Sequence, residues 1–413
     1  SRELLRGCNS KIVRIPVLHR MKRALFGAIT LISVLATAFV PASAQNRGQL
    51  ASAQAQATLS PHHIQPQQFY VYEGRIYADR RPVHLHGINW SGLETADRAP
   101  HGLWNGRPMA DYMQQIKQAG FTAIRLPISP DVLDDRLPVA DWAKDAGYGP
   151  TGMTMLTQTI DAAARAGLWV VLSFNSYSSA IKGGDTPAPY SPDGRYRVGD
   201  WLNDLQRMAE YARNRPYIAG IDLFNEPFGL SWTEWKGLAE QGGQRVIQTN
   251  PRLLVFVQGV GETRTDTGGY GAFWGSNLTE AATRPIDVNM IPYHKLVLSP
   301  HVYGPDVYMM PYFKDPSYPR NMPKIWDTHF GHMASRNAVC AGEFGGKYRR
   351  GTPDAVWQDA LINYMTQRGG MATCWFYWQF NPNSGDTGGV LSEDWLSMDT
   401  RKLALLGRLK AVR

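Results

Sequence analysis

The sequence predicts a (β/α)8 TIM barrel in a single domain, and three observations carry that prediction. Eight strand-like apolar runs recur along the chain. Amphipathic segments lie between most of them, which is the alternation of a parallel sheet wrapped by helices. Two of the runs end in a glutamate followed by a turn residue, at Leu223-Phe224-Asn225-Glu226-Pro227 and Ala341-Gly342-Glu343-Phe344-Gly345. A parallel barrel brings such strand ends to one face, where two distant carboxyl groups form a pair.

Taken in order, residues 1–20 precede a plausible start at Met21 and read as a mis-assigned start or non-native addition. Met21-Lys22-Arg23, the apolar run Ala24 to Val40, Pro41 and the small-x-small Ala42-Ser43-Ala44 read as a secretory signal peptide over 21–44. An uncleaved membrane anchor is the alternative; with cleavage the protein is secreted or periplasmic and has no membrane partner. Residues 45–66, rich in Ala, Gln, Ser and Pro, read as a flexible lead-in. Residues 67–413 are then the barrel domain, long enough for the roughly 250 residues or more that such a fold takes. Of the net charge of +8, +6 falls in residues 1–44. The basic excess therefore belongs to the leader and makes no case for nucleic acid.

Phe69 to Tyr72, Glu73-Gly74-Arg75 and Ile76 to Ala78 predict a short N-terminal β-hairpin that plugs the barrel bottom. The barrel strands are expected at 85–89, 123–128, 169–174, 221–224, 253–257, 296–299, 339–342 and 373–378. Helices are expected at 112–119, 155–166, 201–213, 235–249, 322–333 and 356–368, with a closing helix near 403–409. Between the fifth and sixth strands, 261–290 looks loop-rich. A doubly wound open sheet is the alternative, but no Gly-rich phosphate fingerprint follows any strand.

The polar residues at the predicted strand ends form a coherent set: Asn89, Trp90, Arg125, Asn175, Asn225, Glu226, Gln258, His301, Tyr303, Glu343 and Trp378. Glycoside hydrolysis needs such a set. One carboxylic acid protonates the leaving oxygen and a second, ionised one acts as nucleophile or base. An Arg beside one glutamate keeps it ionised, and partial burial raises the other. Each residue also has a plainer reading. Arg125 suits a structural ion pair, His301 a hydrogen-bonded core histidine, and Trp378, in Trp375-Phe376-Tyr377-Trp378, the core. The thirteen Trp and nineteen Tyr mostly fill the core, although aromatic faces also stack on sugar rings. No His/Cys cluster has metal spacing. Cys340 and Cys374 fall on neighbouring predicted strands and are expected to be buried free thiols, because adjacent parallel strands rarely place cysteines well for a bridge.

Asn225-Glu226-Pro227, His301-Val302-Tyr303-Gly304 and Gly342-Glu343-Phe344-Gly345 resemble the signature of glycoside hydrolase family 5, in its bacterial cellulase (endo-β-1,4-glucanase) branch. Gly87-Ile88-Asn89-Trp90, Glu94-Thr95, His101-Gly102-Leu103-Trp104, Arg125-Leu126-Pro127, Phe273-Trp274-Gly275 and Asn381 to Gly389 extend the likeness from about Tyr70 to the C-terminus. The resemblance implies a (β/α)8 barrel and a retaining double displacement on a β-glucan, with no cofactor and carboxyl groups about 5–5.5 Å apart. It makes Glu226 the acid/base and Glu343 the nucleophile. Arg125 and Tyr303 would hold Glu343, and Asn225 would meet the 2-hydroxyl. His301 would support Glu226, Trp378 would underlie the sugar, and Asn89, Trp90, His101 and Asn175 would complete the substrate-binding set. The chain departs from the family on the third strand, where Ser173 and Asn175 stand in place of an Asp and a His, and at Ser91 and Leu93, where aromatics are common. These changes leave another β-linked glycan (mannan, xyloglucan or a bacterial exopolysaccharide) as the alternative substrate. A glycan-binding barrel without catalysis is disfavoured by the presence of both glutamates.

Overall fold

Runs of five or six residues that are apolar throughout must be covered on both faces, and the chain folds so that they are. The computed structural model describes residues 67–181, 186–261 and 269–412. The signal-peptide and lead-in expectations fall outside these residues. A small antiparallel sheet comes first: β1 (Phe69–Tyr72), β2 (Arg75–Ala78) and β3 (Arg81–Pro82). Its turn, Glu73-Gly74, has φ of 46° and 70°, the left-handed pair that matches the strand twist.

Ten parallel strands follow: β4 (Leu85–Asn89), β5 (Ala123–Ile128), β6 (Trp169–Phe174), β7 (Ile218–Asp222), β8 (Leu254–Val257), β9 (Leu296–Leu298), β10 (His301–Tyr303), β11 (Ala338–Val339), β12 (Ala341–Gly345) and β13 (Cys374–Tyr377). Their hydrogen-bonded order is β10-β12-β13-β4-β5-β6-β7-β8-β9-β11. β9 and β10 are halves of one strand, interrupted at Ser299-Pro300 where proline removes a ladder donor. β11 and β12 are halves of the next, interrupted at Cys340. Since β9 pairs with β11 and β10 with β12, the sheet closes on itself as the predicted (β/α)8 barrel.

Helices Met109–Gln118, Gly152–Arg165, Val198–Tyr211, Trp232–Thr249, Met322–His329, Pro353–Thr366 and Thr400–Lys410 pack around it. Six of them begin three residues earlier than the apolar period suggests. Five of these first turns are fixed by caps instead: Thr151 and Thr352 accept from Thr154 N and Ala355 N, Asp399 from Arg401 N and Lys402 N, Asp200 Oδ2 from Arg197 N, and Ser231–Glu234 form a capping box. Between β8 and β9 the helical elements among the described residues are two 3-10 turns, Thr279–Ala282 and Tyr293–Lys295, as the loop-rich sequence predicts. β7 also lies three residues before its predicted start, so Glu226 stands in the loop beyond the strand.

Alternation along the strands sorts the barrel interior into layers. At the N-terminal end, Leu85, Ala123, Val171, Leu254, Phe256, Val297 and Phe376 form an apolar core, and Phe69 of the hairpin packs into the same cluster. Two or four residues further along the same inward rows come Asn89, Arg125, Ser173, Gln258 and His301, all buried and polar. Both ends of the barrel are thus written in one periodicity, apolar below and chemical above.

Cys340 and Cys374 correct the free-thiol expectation, because they form a disulfide. Ala341 pairs with Trp375, so the two cysteines stand opposite one another with Cα atoms 4.8 Å apart, within bridging reach. The bridge closes a loop with a sequence separation of 34. The Cys340→Ala/Cys374→Ala variant should lose about 3–4 kcal/mol of stability, read as a lower denaturant midpoint, with catalysis intact below its melting temperature.

Candidate active site

The site is built around one guanidinium. Arg125 projects inward from β5 and is 1% exposed. Its Nη1 donates to Glu343 Oε1 at 2.7 Å and to Asn89 Oδ1 at 2.9 Å. Its Nη2 donates to Asp222 Oδ2 at 2.9 Å, Ser173 Oγ at 2.8 Å and Asn225 Oδ1 at 3.2 Å. Arg125 therefore makes the structural ion pair that the sequence offered as one reading, to Asp222, and the same guanidinium also pairs with Glu343. Asp222 was not anticipated. An acidic residue inside the apolar run Ile221-Asp222-Leu223 is the signal that would have found it.

Glu343, at the C-terminal end of β12, is 4% exposed. Its second oxygen accepts from the Tyr303 hydroxyl at 2.7 Å. Burial pushes the Glu343 carboxyl up, while the Arg125 charge and the Tyr303 and Arg125 hydrogen bonds pull it back. Both oxygens accept from donors, so the site is built to hold the ionised form. Burial and the Glu343 charge push the Tyr303 phenol well up, which keeps it a donor.

Glu226 follows β7 with φ of 51°, in the left-handed region that a non-glycine residue adopts only under constraint. Its N–H donates to Gln258 Oε1 at 2.8 Å, and Gln258 Nε2 donates to Asp222 Oδ2 at 2.9 Å. The backbone of Glu226 is thereby tied to the partner of Arg125. His301 is fully buried, and its Nδ1 lies 2.9 Å from Glu226 Oε1. Burial, then the Arg125 charge, pushes the imidazole well below its usual range, so it is neutral. The Arg125 Nη2, which can only donate, faces His301 Nε2 at 3.5 Å. That contact places the imidazole proton on Nδ1, directed at Glu226. Ligand atoms of Glu226, His301 and Glu343 all lie within 4.8 Å of one another. Three such atoms are also a possible metal set, but both Glu343 oxygens are already engaged by Arg125 and Tyr303.

The carboxyl pair opens into a cleft of about 700 Å³. Glu94, His101, Asn175, Asn225, Glu226, Tyr303, Glu343 and Trp378 line it, with Phe273, Trp274, Gln379 and Asp386 among the others. The structure moves two expected contact residues away from the cleft. Trp90 is fully buried against Tyr112 and Phe380, and its Nε1 donates to His101 O; its ring is core, one alternation step off the inward row. Asn89 is also fully buried; it orients Arg125 and donates to Gly342 O and Tyr377 O. His101 stands at the wall, with Asn383 Nδ2 3.0 Å from its Nδ1 and Asp97 3.1 Å from its Nε2.

The comparisons with known proteins fit this geometry. The family model for cellulase, glycosyl hydrolase family 5, matches residues 78–384. The chain belongs to glycosyl hydrolase family 5. It is 40% identical over 338 residues to the major extracellular endoglucanase of Xanthomonas campestris pv. campestris, covering 79% of this chain and 68% of that protein. It is 34% identical over 357 residues to an endoglucanase of Paenibacillus polymyxa, covering 83% and 87%. The solved catalytic domain of the Xanthomonas enzyme superposes with a TM-score of 0.77 at 37% identity, over 83% of this chain and 99% of that one. A cellotetraose complex of an endocellulase from Pyrococcus horikoshii gives 0.76 at 33% identity, over 84% and 99%.

As a family 5 glycosyl hydrolase, the chain carries a third acid in its cleft. Glu94 Oε2 accepts from Gly92 N at 2.7 Å. Burial, opposed by backbone hydrogen bonds, pushes the Glu94 carboxyl from 4.5 up to about 7. A carboxyl group raised on folding favours the folded state below its unfolded value, and that benefit is lost as pH rises through the folded one. Between pH 4.5 and 7 the parent should therefore lose stability relative to Glu94→Gln. Melting temperatures of the two proteins at pH 4 and pH 8 check this, and the gap should widen in favour of Gln at pH 8.

Proposed function

We propose that the chain is a secreted endo-β-1,4-glucanase that cleaves β-glucan with retention of anomeric configuration. The observation that carries the retaining reading is the approach of a Glu226 and a Glu343 oxygen to within 4.8 Å. Retaining enzymes hold their carboxyl groups about 5–5.5 Å apart, whereas inverting ones leave about 6.5–9.5 Å for a water. Glu343, clasped by Arg125 and Tyr303, attacks the anomeric carbon while Glu226 protonates the departing glycosidic oxygen. The resulting glycosyl-Glu343 ester is hydrolysed by water that Glu226 deprotonates. Asn225 Oδ1 is held by Arg125, which turns its amide NH2 towards the sugar 2-hydroxyl. Trp378, half-buried on the cleft wall, is the platform under the same sugar.

The substrate follows from the relatives, named as endoglucanases, and from the cellotetraose complex of the Pyrococcus enzyme. Secretion follows from the extracellular relative and from the leader over 21–44, and no helix among the described residues is long and apolar enough to cross a membrane. The Asn175 N–H donates to Ile128 O, while its side-chain amide makes no hydrogen bond to another described residue and lines the cleft, where it serves a sugar hydroxyl without carrying charge.

Mature protein incubated with carboxymethylcellulose, mixed-linkage glucan, xyloglucan and glucomannan tests the reading. Short β-1,4-gluco-oligosaccharides, born as β-anomers by NMR, are expected. Initial release of α-anomers would overturn the double displacement, and cleavage confined to glucomannan or xyloglucan would overturn the glucan assignment.

A further inference from the structure

Beside Trp378, on the same wall of the cleft, stands a group that the protein does not satisfy. Gln379 is 2% exposed and lines the cleft. Its Oε1 is buried without a hydrogen-bond partner, and its amide nitrogen makes no hydrogen bond to another described residue. The backbone around it is tied at two points: its carbonyl accepts from Val390 N, and Trp378 N donates to Phe344 O. The segment is thus held while the side-chain oxygen beside the cleft is left without a partner. Buried amides in folded proteins are almost always bonded, and an orphan is destabilising. Its retention here calls for a partner that arrives from the cleft.

We propose that Gln379 is a substrate-binding residue whose amide receives hydroxyl groups of the sugar unit that lies on Trp378, selecting neutral, unsubstituted units there. This rests on the β-glucan reading above. A hydroxyl both donates and accepts, so adjacent hydroxyls of one pyranose satisfy the two ends of an amide. An O-substituted unit presents no donor to Oε1, and a carboxylate faces the same oxygen as a second acceptor. The wall also carries Asp386, whose carboxylate repels an anionic sugar further.

Titration calorimetry with cellotetraose, on a Glu343→Gln background that prevents turnover, tests the assignment. Gln379→Met keeps the length and volume of the side chain and removes both polar ends. Affinity should fall about tenfold or more, because the sugar hydroxyls then lose their partner. The melting temperature should stay level or rise, because the orphan amide is gone. Unchanged affinity would overturn the proposal, and so would a joint fall in affinity and melting temperature, which marks a packing role. If the Gln379-containing parent itself fails to bind cellotetraose, the β-glucan reading falls, and the sugar assigned to Gln379 falls with it.

Discussion

Glu343→Gln should lower kcat on β-glucan by about 10⁴-fold or more, with the fold unchanged. An amide of the same shape cannot form the glycosyl ester. The loss should be the same on a polysaccharide and on an activated aryl cellobioside, because both need the nucleophile. Glu226→Ala should behave differently. Protonation of the leaving group by a positioned acid contributes about 10²–10⁴-fold, and an activated phenolate leaves without it. The variant should therefore be slow on glucan but form the glycosyl-enzyme normally from the aryl substrate. Added azide should then speed turnover and yield a β-glycosyl azide. If azide rescued the Glu343 variant instead and left Glu226→Ala unaffected, the two roles would have to be exchanged.

Arg125→Leu is expected to be the most damaging single change to the fold. It leaves Asp222 and Glu343, each at most 5% exposed at the side chain, without their shared cation. Breaking a buried ion pair on one side costs about 3–5 kcal/mol, since the remaining charge is left uncompensated. The melting temperature should drop accordingly, and activity should vanish even where the protein is folded, because Glu343 would take up a proton. Asp222→Asn in the same chain removes one of the two orphaned charges. The double variant should regain part of the lost stability but none of the activity. Recovery of both would mean that Arg125 acts on the fold alone; recovery of neither would mean that Asp222 is not its structural partner.

The layered interior explains why so much of this site is legible in a single sequence. Side chains on a strand alternate, so Arg125 between Ile124 and Leu126, and His301 and Tyr303 around Val302, announce their inward row by periodicity. Glu226-Pro227 and Glu343 before Phe344-Gly345-Gly346 announce a strand end by local turn chemistry. The same locality accounts for the misplacements. β7 reads two residues too far at its end because Leu223 and Phe224 continue the apolar run, although the ladder to β8 ends at Asp222, opposite Phe256. Helix starts were missed because capped first turns carry no apolar signal.

The sequence alone determined the eight-fold alternation of strands and helices, the two glutamates and most of the polar ring around them, since each is written within a few neighbouring residues. Tertiary structure decided the rest. The register of β12 on β13 brings Cys340 opposite Cys374. Barrel closure sets Arg125 between Asp222 and Glu343, rotates Trp90 into the core, and leaves the buried Gln379 Oε1 beside the cleft without a partner. Each depends on which residue of a distant strand lies alongside, and that is fixed by closing the sheet, which no local pattern encodes.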